Sequence, residues 1–195
     1  MKKIFLFVFL ILGVWKPVEA QTTVPWAQQM SATQSISLPN GKVVTSKIYI
    51  DMGRVRIDVD SVGVNVSSLF LPDKKIMYTI MHAQKVYMEL PITPTDLDRY
   101  SAFSPNAVNF EAIGEGTMNG VECIKYRLKY ETSKAQIFWI NKQTKVPVAM
   151  EAEDGTMKID WNNVVVGPQP DSVFELPANY QKMQMPHMPM KPPGQ

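Results

Sequence analysis

Apolar residues recur at every second position along most of residues 28–166. Successive side chains of a strand point to opposite faces, so this period lays one apolar face along an extended chain. Arg54–Asp60 is the cleanest case, with Val55, Ile57 and Val59 set against Arg54, Arg56, Asp58 and Asp60. In Val43–Met52, Val44, Ile48, Ile50 and Met52 oppose Thr45, Lys47 and Asp51. Glu122–Tyr130 sets Ile124, Tyr126, Leu128 and Tyr130 against Lys125, Arg127 and Lys129. Val146, Val148, Met150 and Ala152 oppose Glu151 and Glu153, and Met157, Ile159 and Trp161 oppose Lys158 and Asp160. Shorter runs at Ile76–Met81, Val86–Leu90, Ala107–Ile113 and Ala135–Ile140 read as further strands.

The punctuation agrees with strands. Asn40-Gly41, Asn119-Gly120 and Asp154-Gly155 each sit between two alternating runs, and these pairs supply the positive φ angles of tight hairpins. Gly53, Pro72-Asp73-Lys74 and Asn141-Lys142 mark more turns. Sequential hairpins make an up-and-down antiparallel sheet of roughly nine or ten strands. Helical signals are few: Pro94–Tyr100 offers a Thr N-cap, early acids and Leu97/Tyr100 at i, i+3, and residues 22–30 are a second short candidate. One or two short helices cannot cover so large an apolar face. The sheet must close into a barrel, pair as a sandwich, or curl into a half-barrel under a small lid. The last option leaves an apolar concavity suited to a ligand. Such a face would be built from Ile48, Ile50, Val55, Ile57, Val59, Ile124, Tyr126, Leu128, Tyr130, Val148, Met150, Ile159 and Trp161.

The amino terminus reads as an export signal. Lys2 and Lys3 precede an apolar run from Ile4 to Leu12, and small residues precede a cleavage point between Ala20 and Gln21. The run is too short to span a bilayer. No Cys lies near the cleavage point, so lipid anchoring there is not expected, and the mature chain should be free in an exported compartment. Losing Lys2, Lys3, Lys16 and Glu19 leaves 17 basic and 17 acidic residues. A neutral chain is not a nucleic-acid binder. The expected organisation is a signal at 1–20, one domain over 21–182 and a disordered Met/Pro-rich tail at 183–195.

The runs Lys47–Asp58, Leu71–Ile80 and Lys85–Leu90, then Gly120–Tyr126, Phe138–Asn141, Val146–Val148 and the F-x-x-P-x-x-Y close Phe174–Tyr180, carry a likeness. Together they resemble an uncharacterised exported family, a domain of unknown function near the LolA/LppX-like lipoprotein-sorting carriers. The resemblance implies a curved, half-barrel antiparallel sheet with short helices, whose concave face in the carriers holds acyl chains. It also implies a periplasmic location.

Signals for chemistry are thin. His82 sits in a turn between two strands, and no nucleophile motif surrounds it, so it reads as exposed. The pairs Asp58/Asp60, Asp96/Asp98 and Glu151/Glu153 read as solvated faces rather than catalytic dyads. Cys123 shares a strand face with Lys125 and Arg127; neighbouring cations would lower its pKa, whereas burial would make it an inert small hydrophobe. Lys125, Arg127 and Lys129, with Lys134 nearby, form a basic line that either meets a phosphate or pairs with cross-strand acids. No catalysis and no resident cofactor are expected. The unusual feature is the tail, where Met183, Met185, His187, Met188 and Met190 offer soft donors suited to Cu(I). Its proline content equally describes a plain polyproline-like extension. Three readings follow: a binder of a lipid or other apolar ligand, a copper-binding envelope protein, or an accessory module for an envelope protein partner. Stable membrane insertion is not expected after signal cleavage.

Overall fold

The structure is a computed structural model and describes residues 24–61, 63–104, 110–130 and 134–183. The expected signal segment, its cleavage point at Ala20/Gln21 and tail residues 184–195 lie outside these. In chain order the elements are β1 (Gln29–Ser37), β2 (Val43–Asp51), β3 (Arg54–Ser61), β4 (Val64–Leu71), β5 (Ile76–Met81), β6 (Val86–Pro91), α1 (Pro94–Ser101), β7 (Phe110–Met118), β8 (Val121–Leu128), β9 (Gln136–Asn141), β10 (Pro147–Ala152), β11 (Lys158–Val166) and β12 (Gln181–Lys182). Single 3-10 turns occupy Pro72–Lys74 and Asp171–Phe174.

All twelve strands form one open, curled sheet in the order β12-β6-β5-β4-β3-β2-β1-β11-β10-β9-β8-β7. The described strands are therefore neither a closed barrel nor a sandwich, because β12 and β7 remain as edges. Pairing is antiparallel except for β12, which runs parallel to β6. Two meanders meet in the middle: β1 to β6 runs outward on one side, and β7 to β11 returns until β11 pairs with β1. The Asn119-Gly120 hairpin works as its sequence predicts, with φ of +51° and +79° joining Met118 directly to Val121.

Three expectations need correction. Twelve strands replace nine or ten, because β1, β4 and β12 carry little alternation of the usual kind. β1 is polar in composition, yet Met30, Ala32 and Gln34 alternate inward and are 0, 2 and 3% exposed. Gln34 Nε2 donates to Ser46 Oγ at 2.8 Å, which satisfies an amide buried at the sheet centre. No helix occupies described residues 24–30. Trp26 instead enters the core, 4.7 Å from Phe138 and 5.2 Å from Phe110 between ring centroids, and β1 starts three residues later. Met52 is not on the inner face: it takes φ +49° in the turn with Gly53 and is exposed.

The concave face holds the main core, which joins Trp26, Met30, Ile48, Ile50, Val55, Phe70, Phe110, Leu128, Phe138 and Trp161. Helix α1 lies over it. Its cap is Thr93, which accepts from the Asp96 N–H while the Asp96 carboxylate accepts from the Thr93 N–H; Pro94 fills the first helical position. Tyr100 meets Phe70 at 4.6 Å, and the chain leaving the helix seats Ala102 and Phe103 in the core. Leu97, the other half of the expected apolar pair, is exposed.

The convex face is covered on one side only. After β11 the chain crosses behind β2 to β5 as a strap. Phe174 packs with Leu69 and Leu71, flanked by Tyr49, Tyr78 and Val173. The Arg54 guanidinium stands 4.4 Å from the Phe174 ring and pairs with Asp171 at 2.8 Å, and with Asp51. Arg56 Nη1 donates to the Val173 carbonyl at 2.9 Å. The strap ends when Gln181 and Lys182 pair with Val86 and Tyr87 of β6.

Candidate functional site

A cavity of about 410 Å³ opens on the concave face between the sheet and the α1 segment. Its walls are Gln34 and Ile36 of β1, Ile48 of β2, Ile57 of β3, Gln136 and Phe138 of β9, Met150 of β10, and Met157, Ile159 and Trp161 at β11. Tyr100, Ala102 and Phe103 form the cover. Among the described residues the lining contains no charged side chain. Its polar groups are two amides and the atoms of Tyr100 and Trp161, and Gln136 Oε1 already accepts from Tyr130 at 2.7 Å. Such a space favours transfer of an apolar group from water and disfavours an unpaired charge.

The residues proposed from alternation divide by depth. Ile48, Ile57, Met150, Ile159 and Trp161 line the cavity. Ile50, Val55, Tyr126 and Leu128 are buried within the core that supports it, with Ile124 and Tyr130 packed against that core. Burial pushes the Tyr126 phenol pKa up, so it remains neutral. Val59 is half-buried opposite Val66 in the β3–β4 pair. Val148 sits where the β10 register shifts between Pro147 and Ala149. It lines a separate opening of about 390 Å³, shared with Asn119, Asn141, Thr144, Asn162 and Trp161. Gln34, Ile36, Tyr100, Ala102, Phe103, Gln136, Phe138 and Met157 were not anticipated as lining residues. β1 turns Met30, Ala32, Gln34 and Ile36 inward, but with Ala and Gln in that row the period is not apolar enough to mark a strand, and nothing periodic marks Ala102 and Phe103.

The convex face corrects one further expectation and decides one left open. His82 is half-buried and not a free turn residue: its Nε2 lies 2.7 Å from Ser67 Oγ and its Nδ1 2.9 Å from Tyr180 OH. Ser67 donates to Asp58 Oδ1 at 2.5 Å, and Arg56 Nε donates to the same oxygen at 2.7 Å. A serine beside a histidine invites a nucleophile reading, but Ser67 is 1% exposed and its proton is committed to Asp58. The hydrogen-bond chain tethers the strap through Tyr180. Cys123 is buried at 1% exposure, and burial pushes its thiol pKa up instead of neighbouring cations pulling it down. The basic line is paired: Arg127 reaches Glu153 at 3.0 Å and Glu111 at 3.9 Å, Lys129 reaches Glu111, and Lys134 contacts Asp154. Lys125 lies over the Trp139 ring. Of the proposed copper donors, Met183 is exposed after β12, and Met185, His187, Met188 and Met190 lie outside the described residues. Among the described residues no group of three His, Cys, Asp or Glu is placed to hold a metal, and no helix is long and apolar enough to cross a membrane.

Residues 30–146, from β1 to the turn before β10, match the model of a domain of unknown function, DUF4412. The chain belongs to this family. No curated protein matches it. An uncharacterized conserved protein from Thermus thermophilus superposes with a TM-score of 0.58 at 11% identity, over 82% of this chain and 91% of that one. That likeness shows the fold. A LolA superfamily protein from Nitrosomonas europaea gives a TM-score of 0.44 at 10% identity, over 81% and 98% of the two chains. MucB, in its complex with MucA from Pseudomonas aeruginosa, gives 0.45 at 13% identity, over 83% and 61%. The family and the fold thus agree with the resemblance carried by the strand motifs.

Proposed function

We propose that this is an exported, non-catalytic binding protein that holds a lipid or other apolar ligand on the concave face of its sheet. The observation that carries the reading is the cavity of about 410 Å³, lined mainly by apolar side chains, with no charged residue among those described, and covered by α1 and Phe103. Its volume lies within the range of small-molecule sites. The amino-terminal pattern supports export, and the resemblance to the lipoprotein-sorting carriers supports a periplasmic location. The test is native mass spectrometry and lipid extraction of mature protein taken from its own envelope, followed by titration of the delipidated protein with a fluorescent acyl probe. A bound lipid or saturable probe binding is expected. Ile159→Trp, which fills the cavity, should weaken the probe at least about tenfold while leaving the circular dichroism unchanged. Protein that carries no lipid and binds no probe sinks the proposal.

A second reading concerns the tail. Met183 is a large apolar side chain left in solvent just where the described chain ends. With Met185, His187, Met188 and Met190 it would form a soft Cu(I) site independent of the cavity. Titration with Cu(I) against a chelator, comparing the full mature chain with one ending at Lys182, tests it. Micromolar or tighter binding that vanishes with the tail is expected, and equal binding by both chains removes the reading.

A further inference from the structure

The apolar cavity and the opening around Val148 share one wall, Trp161. Its indole is 4% exposed and lies near-parallel to Phe138, at 15° and 6.3 Å. Its N–H is buried and finds no hydrogen-bond partner among the described residues. Native structures rarely leave a buried donor unpaired, and a ligand acceptor is one way to satisfy it. The two spaces differ in chemistry. The cavity is apolar. The groove of about 390 Å³ beyond Trp161 presents Asn119, Asn141, Thr144 and Asn162, and again no charged residue lines it among those described. Asn141 Oδ1 accepts from the N–H groups of Gln143 and Thr144, which leaves its amide nitrogen as a donor for the groove.

Backbone irregularity coincides with this groove. The β10 register shifts at Val148, and the β1–β11 register shifts between Ser31 and Thr33, where Asn163 takes φ +52°. Bulges on adjacent strands re-aim side chains and recur beside functional sites. Here they flank Asn162 and Val148.

We infer that the two spaces form one amphiphile site, in which the apolar cavity takes a hydrocarbon chain and the amide-lined groove takes an uncharged, oxygen-rich head, with Trp161 at the junction. The inference rests on the proposed function and adds the class of head group. A carboxylate, phosphate or ammonium head would meet no counter-charge among the lining residues and would be desolvated unpaired. Hydroxyl, ether and carbonyl oxygens would instead meet the Trp161 and Asn141 donors.

The test uses four probes with one chain length, each below its micellar concentration: octanol, octyl β-glucoside, octanoate and octyltrimethylammonium. Binding to mature protein is read by calorimetry and tryptophan fluorescence. The glucoside should bind about tenfold tighter than either charged probe, the order expected when a charge is buried unpaired. Asn162→Leu should weaken the glucoside about three- to tenfold, the worth of one hydrogen bond, and leave octanol unchanged. Octanol binding with no discrimination among the heads overturns this inference and leaves the cavity reading standing. So does an Asn162→Leu variant that weakens octanol and glucoside alike. Failure of all four probes counts against the cavity itself.

Discussion

The two meanders that meet at β1 are built from similar hairpins but hide their outer faces differently. Behind β2 to β5 the strap buries a second, smaller core, with Phe174 against Leu69 and Leu71. Behind β8 to β10 the outer face carries ion pairs such as Arg127–Glu153 and the Trp139 indole donating to Glu151 at 3.2 Å. The first half is therefore a three-layer stack of concave core, sheet and strap, and the second has two layers, concave core and sheet, with its outer face toward water. Burial on both faces provides stability through packing, whereas exposed charge pairs add little.

Phe174→Ala should show the largest effect, a loss of about 3–5 kcal/mol in urea unfolding, typical of a buried Phe truncation. Amide exchange should then accelerate in β3 to β5 and not in β8 to β10. A loss below about 1 kcal/mol would mean the strap is not core. Next is Ser67→Ala, which removes the hydroxyl between Asp58 and His82 and should cost about 1–3 kcal/mol, while its neighbour Ser68→Ala should cost under about 0.5 kcal/mol. On the open half, Arg127→Gln should cost at most about 1 kcal/mol and become silent at 1 M salt. A larger, salt-insensitive loss would erase the contrast between the halves. The smallest effect is a pH dependence at Cys123. Its thiol pKa is raised in the folded chain by burial, so folding favours the protonated form. That contribution is complete below the ordinary thiol pKa and declines as pH rises through it. Cys123→Ala should lack this decline when stability is compared between pH 7 and the ordinary thiol range.

The same contrast explains what could be read from sequence. β8 was legible because its outer face is solvated, so Lys125, Arg127 and Lys129 alternate cleanly with Ile124, Tyr126 and Leu128. β4 was not, because its end is buried on both faces: Leu69, Phe70 and Leu71 are each at most 5% exposed, and no period survives. β1 escaped because it buries Gln34 and Ala32, residues without strand propensity, by pairing on both edges. Five of the thirteen proposed concave-face residues line the cavity, and most of the others support it. The cavity itself is a place that side chains leave unfilled, and its cover comes from Ala102 and Phe103 outside any repeat, so periodicity could not locate it.

The central place of β1 also sets an order of events. Met30 pairs with Ile50 on one edge and with Val166 on the other. The first edge closes as soon as one hairpin has formed. The second waits until the second meander has been made, and pairing at such separation is slow. Until then the middle of the sheet is a temporary edge, with Met30 and Ala32 beside it. The chain is thus most open to stray strand pairing just before β11 docks on β1.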